Sequence, residues 1–394
     1  MLVLFLAASA APTPLYRVYQ ARWGFSSTTL TAVFAVYVLF LLATVLILGS
    51  LSDHVGRRPV IITALVVDIA ACILFLLARG AGALFAGRAL QGVAVGLAAT
   101  AVGAALLDLR PAGTLAPLVT SNGGTVGLAL GALGTSVLVQ YGPVPTKLVW
   151  WLLLSAFLAA IVLVAVMPEP GTVRPGALAA LRPDVSVPRS ARGTFARAAP
   201  CLVAVWALGG FYLSLGPSLA AQLTGSRNLL WGGLITFLLT GLGAVTASAF
   251  RNSAPIAVML GGCLGLLGGA VVTIAAIVAR APALLLAGTA LAGLGFGPGN
   301  VGAYRVIMAR VSSSNRAGLI AAVSIVNYLA FGLPALLAGV ATSHFGLHDT
   351  ALVYSIVIAL LAAAAAGGVL FEGRDQIGTL AGDHQSASRH ADRR

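Results

Sequence analysis

Charge is what this chain lacks most. Of its 394 residues only 8% are Asp, Glu, Lys or Arg, against roughly 25% in a soluble globular protein. A soluble fold so poor in charge cannot cover its surface with polar groups. The solvent that fits is a lipid bilayer. Acids are scarcer than bases, ten against 23, for a net charge of +13. That excess does not mark a nucleic-acid binder, because the basic residues stand singly in short gaps between apolar runs. They build neither a basic face nor an aromatic–basic alternation. Cysteine is limited to Cys72, Cys201 and Cys263, each inside an apolar run without metal-ligand spacing. They read as buried apolar side chains. No Gly-x-x-x-x-Gly-Lys-Ser/Thr loop occurs, so ATP is not the direct driving force. His54, His344 and His348 stand in no cluster of acids, and His384 and His390 lie in the tail. The expectation is no enzyme, no metal and no cofactor.

What the chain has in abundance is apolar sequence: 59% of it is hydrophobic, with a mean hydropathy of +1.01. A helix needs about 20 apolar residues to cross the hydrocarbon layer. Twelve stretches qualify, at roughly 2–16, 28–50, 60–78, 82–107, 114–139, 148–167, 199–222, 229–249, 255–279, 282–304, 318–341 and 351–371. The sequence predicts an all-α polytopic membrane protein of twelve helices. Residues 168–198 hold five prolines and five arginines and read as a polar connection between an N-terminal bundle, 1–167, and a C-terminal bundle, 199–371. The charged tail, 372–394, lacks an apolar face and reads as a disordered cytoplasmic segment.

With residue 1 in the cytoplasm and twelve alternating spans, sixteen of the 23 basic residues fall in inner segments. Six fall outside, at Arg17, Arg22, Arg79, Lys147, Arg227 and Arg280, and Arg88 lies within a span. The bias puts both termini in the cytoplasm of a cell with the protein in its inner membrane. Met1 opens directly into an apolar run. The rival to a first span is a signal peptide cleaved near Ala8-Ser9-Ala10, but no basic residue precedes the run. A true first helix, with an initiation point upstream of the given Met1, is the expectation.

The loop between spans two and three reads Gly49-Ser50-Leu51-Ser52-Asp53-His54-Val55-Gly56-Arg57-Arg58-Pro59. Gly49 permits close helix approach and Gly56 a tight turn. Asp53 is suited to accept from backbone amides at a helix N-terminus. Arg57 and Arg58 suit neighbouring acids or lipid phosphates. A plain positive-inside loop explains the arginines but not the ordered set of Gly, Asp, Gly, Arg, Arg. At Gly49, Leu51, Asp53, Gly56, Arg57 and Arg58 the chain resembles the signature of the major facilitator superfamily. It departs at Ser52, where Ala is usual, and at His54, where a basic residue is usual. The resemblance implies two pseudo-symmetric six-helix bundles around a central site. It also makes Asp108, at the end of span four, a partner of the loop arginine, so that Asp53, Arg57 and Asp108 form a cytoplasmic gate. The alternative is a surface ion pair worth about 0–1 kcal/mol.

Span four carries Arg88-Ala89-Leu90-Gln91-Gly92, which resembles the family's second motif, associated with proton coupling. Arg88 lies roughly 10 Å deep by helix rise, with Gln91 on its face. Snorkelling is the alternative for Arg88. Asp68 is the acid nearest the middle of any span. Two roles fit it: a protonation site sensing Arg88, or a structural acid kept neutral, the family's third helix usually sitting away from the cavity. The glycines from Gly123 to Gly134 in span five partly resemble the glycine motif of drug/proton antiporters, with Ala132 where a proline is expected. Ordinary close packing explains them equally. Gly293 and Gly297 in span ten echo the spacing of Gly92 and Gly96. By family geometry spans one, four, seven and ten line the path, which makes Tyr16, Arg88, Gln91, Trp206, Tyr212, Gly293 and Asn300 cavity candidates. Pro12, Pro14, Pro217, Pro298 and Pro334 are expected kinks whose freed carbonyls need donors inside the bundle. The reading is a monomeric, proton-coupled exporter of small amphipathic compounds, with a proton symporter for a small metabolite as the alternative.

Overall fold

The structure is a computed structural model. It describes all residues except 109–114, 172–174, 177–180, 182–184, 310, 312–315 and 392–394, and gives no side chains at 107, 115–121 and 371–391. Arg110, Pro111 and much of the 168–198 connection therefore lie outside the described residues.

Among the described residues every element is helical: α1 (Leu2–Ala10), α2 (Pro12–Trp23), α3 (Ser27–Leu48), α4 (Leu51–Val55), α5 (Arg57–Leu76), α6 (Ala81–Asp108), α7 (Leu115–Tyr141), α8 (Leu148–Val166), α9 (Arg192–Ser214), α10 (Gly216–Thr224), α11 (Leu230–Ala249), α12 (Pro255–Ala279), α13 (Pro282–Met308) and α14 (Arg316–Ala391). Eleven helical stretches are long and apolar enough to cross a membrane, α1 and α2 counting as one. The first, Leu2–Trp23, is longer than the 2–16 read from sequence, because the polar residues after Tyr16 continue the helix. The last, Arg316–Leu370, has 55 residues, roughly 80 Å of helix and too much for one crossing. It folds at Gly346, whose φ of 82° a residue with a side chain rarely adopts, and so supplies two legs. The backbone of α14 is helical to Ala391.

The helices form two six-helix bundles. In the first, α3 and α5 pack on α6, α8 packs on α5, and α1 packs on α7. In the second, α12 packs on α13, α9 on α14, and α11 on α13. Two pairs make the main contacts between the bundles among the described residues: α3 with the first leg of α14, and α7 with α11. These are spans two with eleven and five with eight. Adding six to each span number turns one pair into the other, as a pseudo-twofold axis along the bundle requires.

Glycine spacing builds the equivalent crossings. Gly92 and Gly96 lie against Tyr37, Leu41 and Thr44, bringing α6 onto α3. Gly293 and Gly297 lie against Leu239 and Gly243, bringing α13 onto α11. A Cβ at any of the four would overlap the neighbouring helix. Gly127 and Gly131 of span five press on the backbone of α1 at Val3 and Ala7, so part of that glycine run is a packing surface.

Candidate functional site

Proline chemistry positions the centre. Pro12 has no N–H for the carbonyl of Ala8, and the chain breaks into α1 and α2 at Ala11. Gln91 of α6 donates Nε2 to that carbonyl at 3.0 Å. Arg88, one turn earlier, donates Nη1 to Ser9 O at 2.9 Å and to Gln91 Oε1 at 2.8 Å. Its guanidinium carbon lies 3.9 Å from the Tyr37 ring centroid. Arg88 is only 1% exposed, so it does not snorkel to a surface. Asp68 of α5, wholly buried, is close enough for Arg88 and Gln91 to act on its carboxyl. Neither oxygen of Asp68 has a hydrogen-bond partner, nor do Arg88 Nε and the Tyr16 hydroxyl. Tyr16 also feels Arg88. Four buried polar atoms without hydrogen-bond partners thus share one cluster. Buried polar groups are normally paired, so a cluster of exceptions in one place stands out.

A central cavity of about 320 Å³ lies against this cluster and between the bundles. Ser9 and Tyr37, which touch Arg88, form part of its wall. On the other side stand Trp206, Phe296, Asn300, Tyr328 and Phe331. Trp206 Nε1 donates to Asn300 Oδ1 at 3.0 Å, and its ring meets Tyr328 and Phe331 edge-on with centroids 5.5 Å away. Trp206 and Asn300 were expected in the wall. The other cavity candidates do not line it. Tyr16 sits behind Arg88, the Tyr212 hydroxyl is engaged with Thr289 at 2.9 Å, and Gly293 is a helix crossing. Arg88 and Gln91 stand one layer behind the wall. Tyr37, Tyr328 and Phe331 were missed because they belong to spans two and eleven. Their signal was an aromatic row in otherwise aliphatic spans.

The second proline break is the counterpart of the first. Pro217 frees the carbonyl of Leu213, and Thr13 of the other bundle donates to it at 3.0 Å. Thr28 and Ser343 share a hydrogen bond of 2.9 Å, and Gln140 accepts from Leu229 N at 3.0 Å. The Thr28 and Gln140 bonds hold the end opposite the Gly49–Pro59 loop together, and the Thr13–Leu213 bond lies deeper, beside the central cavity that Leu213 lines. At the loop end one such bond crosses between described residues of the bundles, Asn122 to Ser248 at 2.7 Å. Pro298 and Pro334 lie inside helices that continue through them.

At the loop end Arg57 pairs with Asp53 (2.5 Å) and Asp108 (2.9 Å) and donates to Ser52 Oγ (2.7 Å). Gly56, at φ 103°, makes the turn into α5. Gly49 lies close to Thr100 of α6. The amides at the start of α5 were expected to suit Asp53. They are instead capped by Glu169, whose carboxylate accepts from Arg57 N at 2.6 Å and Arg58 N at 3.0 Å. Arg58 itself reaches the carbonyl of Ala165. Glu169 stands 112 residues from Arg57, and only the packing of α8 on α5 brings it there. All of these residues precede α9, so none of the described pairs in this cluster crosses to the second bundle.

The family model of the Major Facilitator Superfamily matches residues 1–262. No curated protein matches the chain. Solved structures similar to it include a bacterial homolog of the human lysosomal transporter Spinster, inward-facing and occupied. That match has 13% identity, covers 93% of this chain and 94% of that one, and has a TM-score of 0.72. The nucleoside transporter NupG matches at 12% identity, covering 93% and 97%, with a TM-score of 0.70. The human organic anion transporter MFSD10 matches at 17% identity, covering 92% and 96%, with a TM-score of 0.60. At such identities the likeness concerns the fold.

Proposed function

The chain belongs to the major facilitator superfamily and is a secondary transporter of a membrane, and from that premise we propose that it exports small amphipathic compounds in exchange for protons. The observation that carries this reading is the unpartnered Asp68–Arg88–Tyr16 cluster directly behind the cavity wall. The wall supports an apolar or aromatic substrate. It offers aromatic faces for area burial and stacking, Asn300 and Trp206 for orientation, and no acid or base of its own. Ser9, Tyr37, Thr125 and Tyr328 add further hydroxyl-bearing side chains to the wall. The conformation fits one half of an alternating-access cycle, closed opposite the loop and with the cavity reaching Leu2, Leu6 and Leu41 toward the loop end. In the orientation read from the basic residues, that end is cytoplasmic.

Coupling follows from who holds Arg88. With a proton on Asp68, Arg88 remains on Ser9 O and Gln91. When the proton leaves, the bare carboxylate competes for the guanidinium and draws it from the wall. Ser9 and the proline break beside it then change partners, and the latch at Thr13 lies on the same span. The Asp53–Arg57–Asp108 cluster with its Glu169 cap serves as a rigid corner of the cytoplasmic gate. Transport in proteoliposomes with and without a pH gradient tests the whole reading, because uptake indifferent to collapse of the gradient removes the proton.

Trp206→Ala removes the largest aromatic face of the wall and leaves Asn300 without its donor. It should raise KM about tenfold, equivalent to about 1.4 kcal/mol of lost contact. Initial-rate transport by the variant, at unchanged melting temperature, measures this. Thr13→Val leaves Leu213 O without its donor beneath the closed end, a cost of about 1–3 kcal/mol. It should open that end. Single-molecule fluorescence between labels at positions 21 and 222, both exposed and helical, should then show a longer-distance population. An unchanged distance distribution would remove the latch.

A further inference from the structure

A second concave site lies at the end of the first bundle opposite the Gly49–Pro59 loop. Its volume is about 450 Å³, larger than that of the central cavity. Arg22 at the end of α2, Arg79 between α5 and α6, and Lys147 ahead of α8 all line it, and no acid does. Three connections far apart in sequence therefore bring their cations to one place. None of the three has an ion-pair partner among the described residues. The charge pattern sharpens the point. Only six of the 23 basic residues were assigned to this end, and half of those six stand in this pocket.

The walls say what the cations meet. Tyr19 and Trp23 stack with centroids 4.8 Å apart, and Trp150 Nε1 fixes the Tyr19 hydroxyl at 3.2 Å. Such aromatics belong at the headgroup level of a membrane. Beside Arg79 the rim carries Leu77, 70% exposed. On the outside of a membrane bundle an exposed Leu faces acyl chains. The pocket is thus cationic inside and apolar on the side that opens to lipid.

We infer that this pocket binds the phosphate of an anionic lipid headgroup, with the acyl chains leaving over Leu77. Arg22 and Arg79 offer planar donor forks to phosphate oxygens, and Lys147 a point charge. A free phosphate would use the same donors but not the apolar rim. The site is separate from the transport cavity and does not rest on the proton-coupling proposal.

The test reconstitutes the full chain in nanodiscs of phosphatidylcholine, with and without phosphatidylglycerol. It measures the melting temperature and, by native mass spectrometry, the lipid that stays bound. Phosphatidylglycerol should raise the melting temperature, because a ligand of the folded state stabilises it, and one molecule should remain attached. In the triple variant R22Q/R79Q/K147Q that retention should weaken roughly a hundredfold. The control R227Q/R280Q, which removes two cations assigned to the same end of the second bundle, should keep it. Equal melting with and without phosphatidylglycerol overturns the inference, as does full retention by the triple variant. Equal loss in the control reduces the effect to diffuse surface charge. Reproduction of the effect by inorganic phosphate added to phosphatidylcholine discs replaces the lipid with a free anion. Each of the last two outcomes also overturns it.

Discussion

Asp68→Asn will reduce substrate accumulation driven by a pH gradient to the level of empty liposomes, while counterflow of the same substrate continues. The amide has nearly the shape of the protonated acid, so the packing against Ala64, Leu65, Ala71 and Cys72 survives. What is lost is the ability to release a proton and expose a negative charge to Arg88. In this buried cluster a charge change is a large perturbation, because Arg88 and Gln91 are the groups placed to answer it. Transport that stays gradient-driven in the variant would assign Asp68 to structure and move the proton elsewhere. Loss of counterflow together with gradient-driven uptake would mean that Asp68 is needed for the fold or for substrate binding, and would remove it as a pure coupling group.

Arg88 carries the second large effect. Arg88→Lys keeps the charge and donors on one nitrogen, but it loses the planar face over Tyr37 and the guanidinium's other nitrogens, and its shape differs from the one that places Nη1 on Ser9 O and Gln91 Oε1. It should slow both gradient-driven transport and counterflow about tenfold or more, equivalent to one lost charged hydrogen bond of about 1.5–3 kcal/mol. Arg88→Leu should go further and stop transport, leaving the Ser9 carbonyl without its donor, at a cost of about 1–3 kcal/mol in stability, and leaving Asp68 without a counter-charge whenever its proton departs. A melting curve for each variant separates the two. Lys variants that transport at the native rate would show that Arg88 serves only as a charge. The contrast with Asp68→Asn is the useful part: one change should uncouple, the other should stop.

How much of this was legible beforehand depends on the kind of feature. Periodic apolar runs and turn residues are local properties of the chain, so twelve crossings could be counted from it. The fold at Gly346 is why the final helix counts twice, and Leu347 to Thr350 continue helical on its far side. The loop residues Asp53 and Arg57 are only four apart, and the tight turn at Gly56 between α4 and α5 brings them together, so the pair is local to the loop. The Glu169 cap was not legible, because the sequence gives no measure of how the end of span six lies on the start of span three. Tyr37, Tyr328 and Phe331 were missed for a related reason: which face of a span meets the other bundle depends on how the bundles tilt. Tyr212 and Tyr16 were placed in the wall by span number, but rotation about the helix axis turns Tyr212 toward Thr289 and Tyr16 behind Arg88.

The sequence by itself determined the solvent, the number of crossings, the family loop and the single buried Arg–Gln pair, because hydropathy, helical spacing and charge bias act over a few turns at most. Tertiary structure alone decided that the carbonyls freed by Pro12 and Pro217 are taken up by Gln91 and by Thr13, the first inside one bundle and the second across two. It also decided that Asp68, Arg88 and Tyr16 share a buried cluster behind a cavity, and that Arg22, Arg79 and Lys147 meet. Each of these needs residues tens to hundreds of positions apart to converge. Only the packing of whole helices, set by where glycine allows close approach, brings that about.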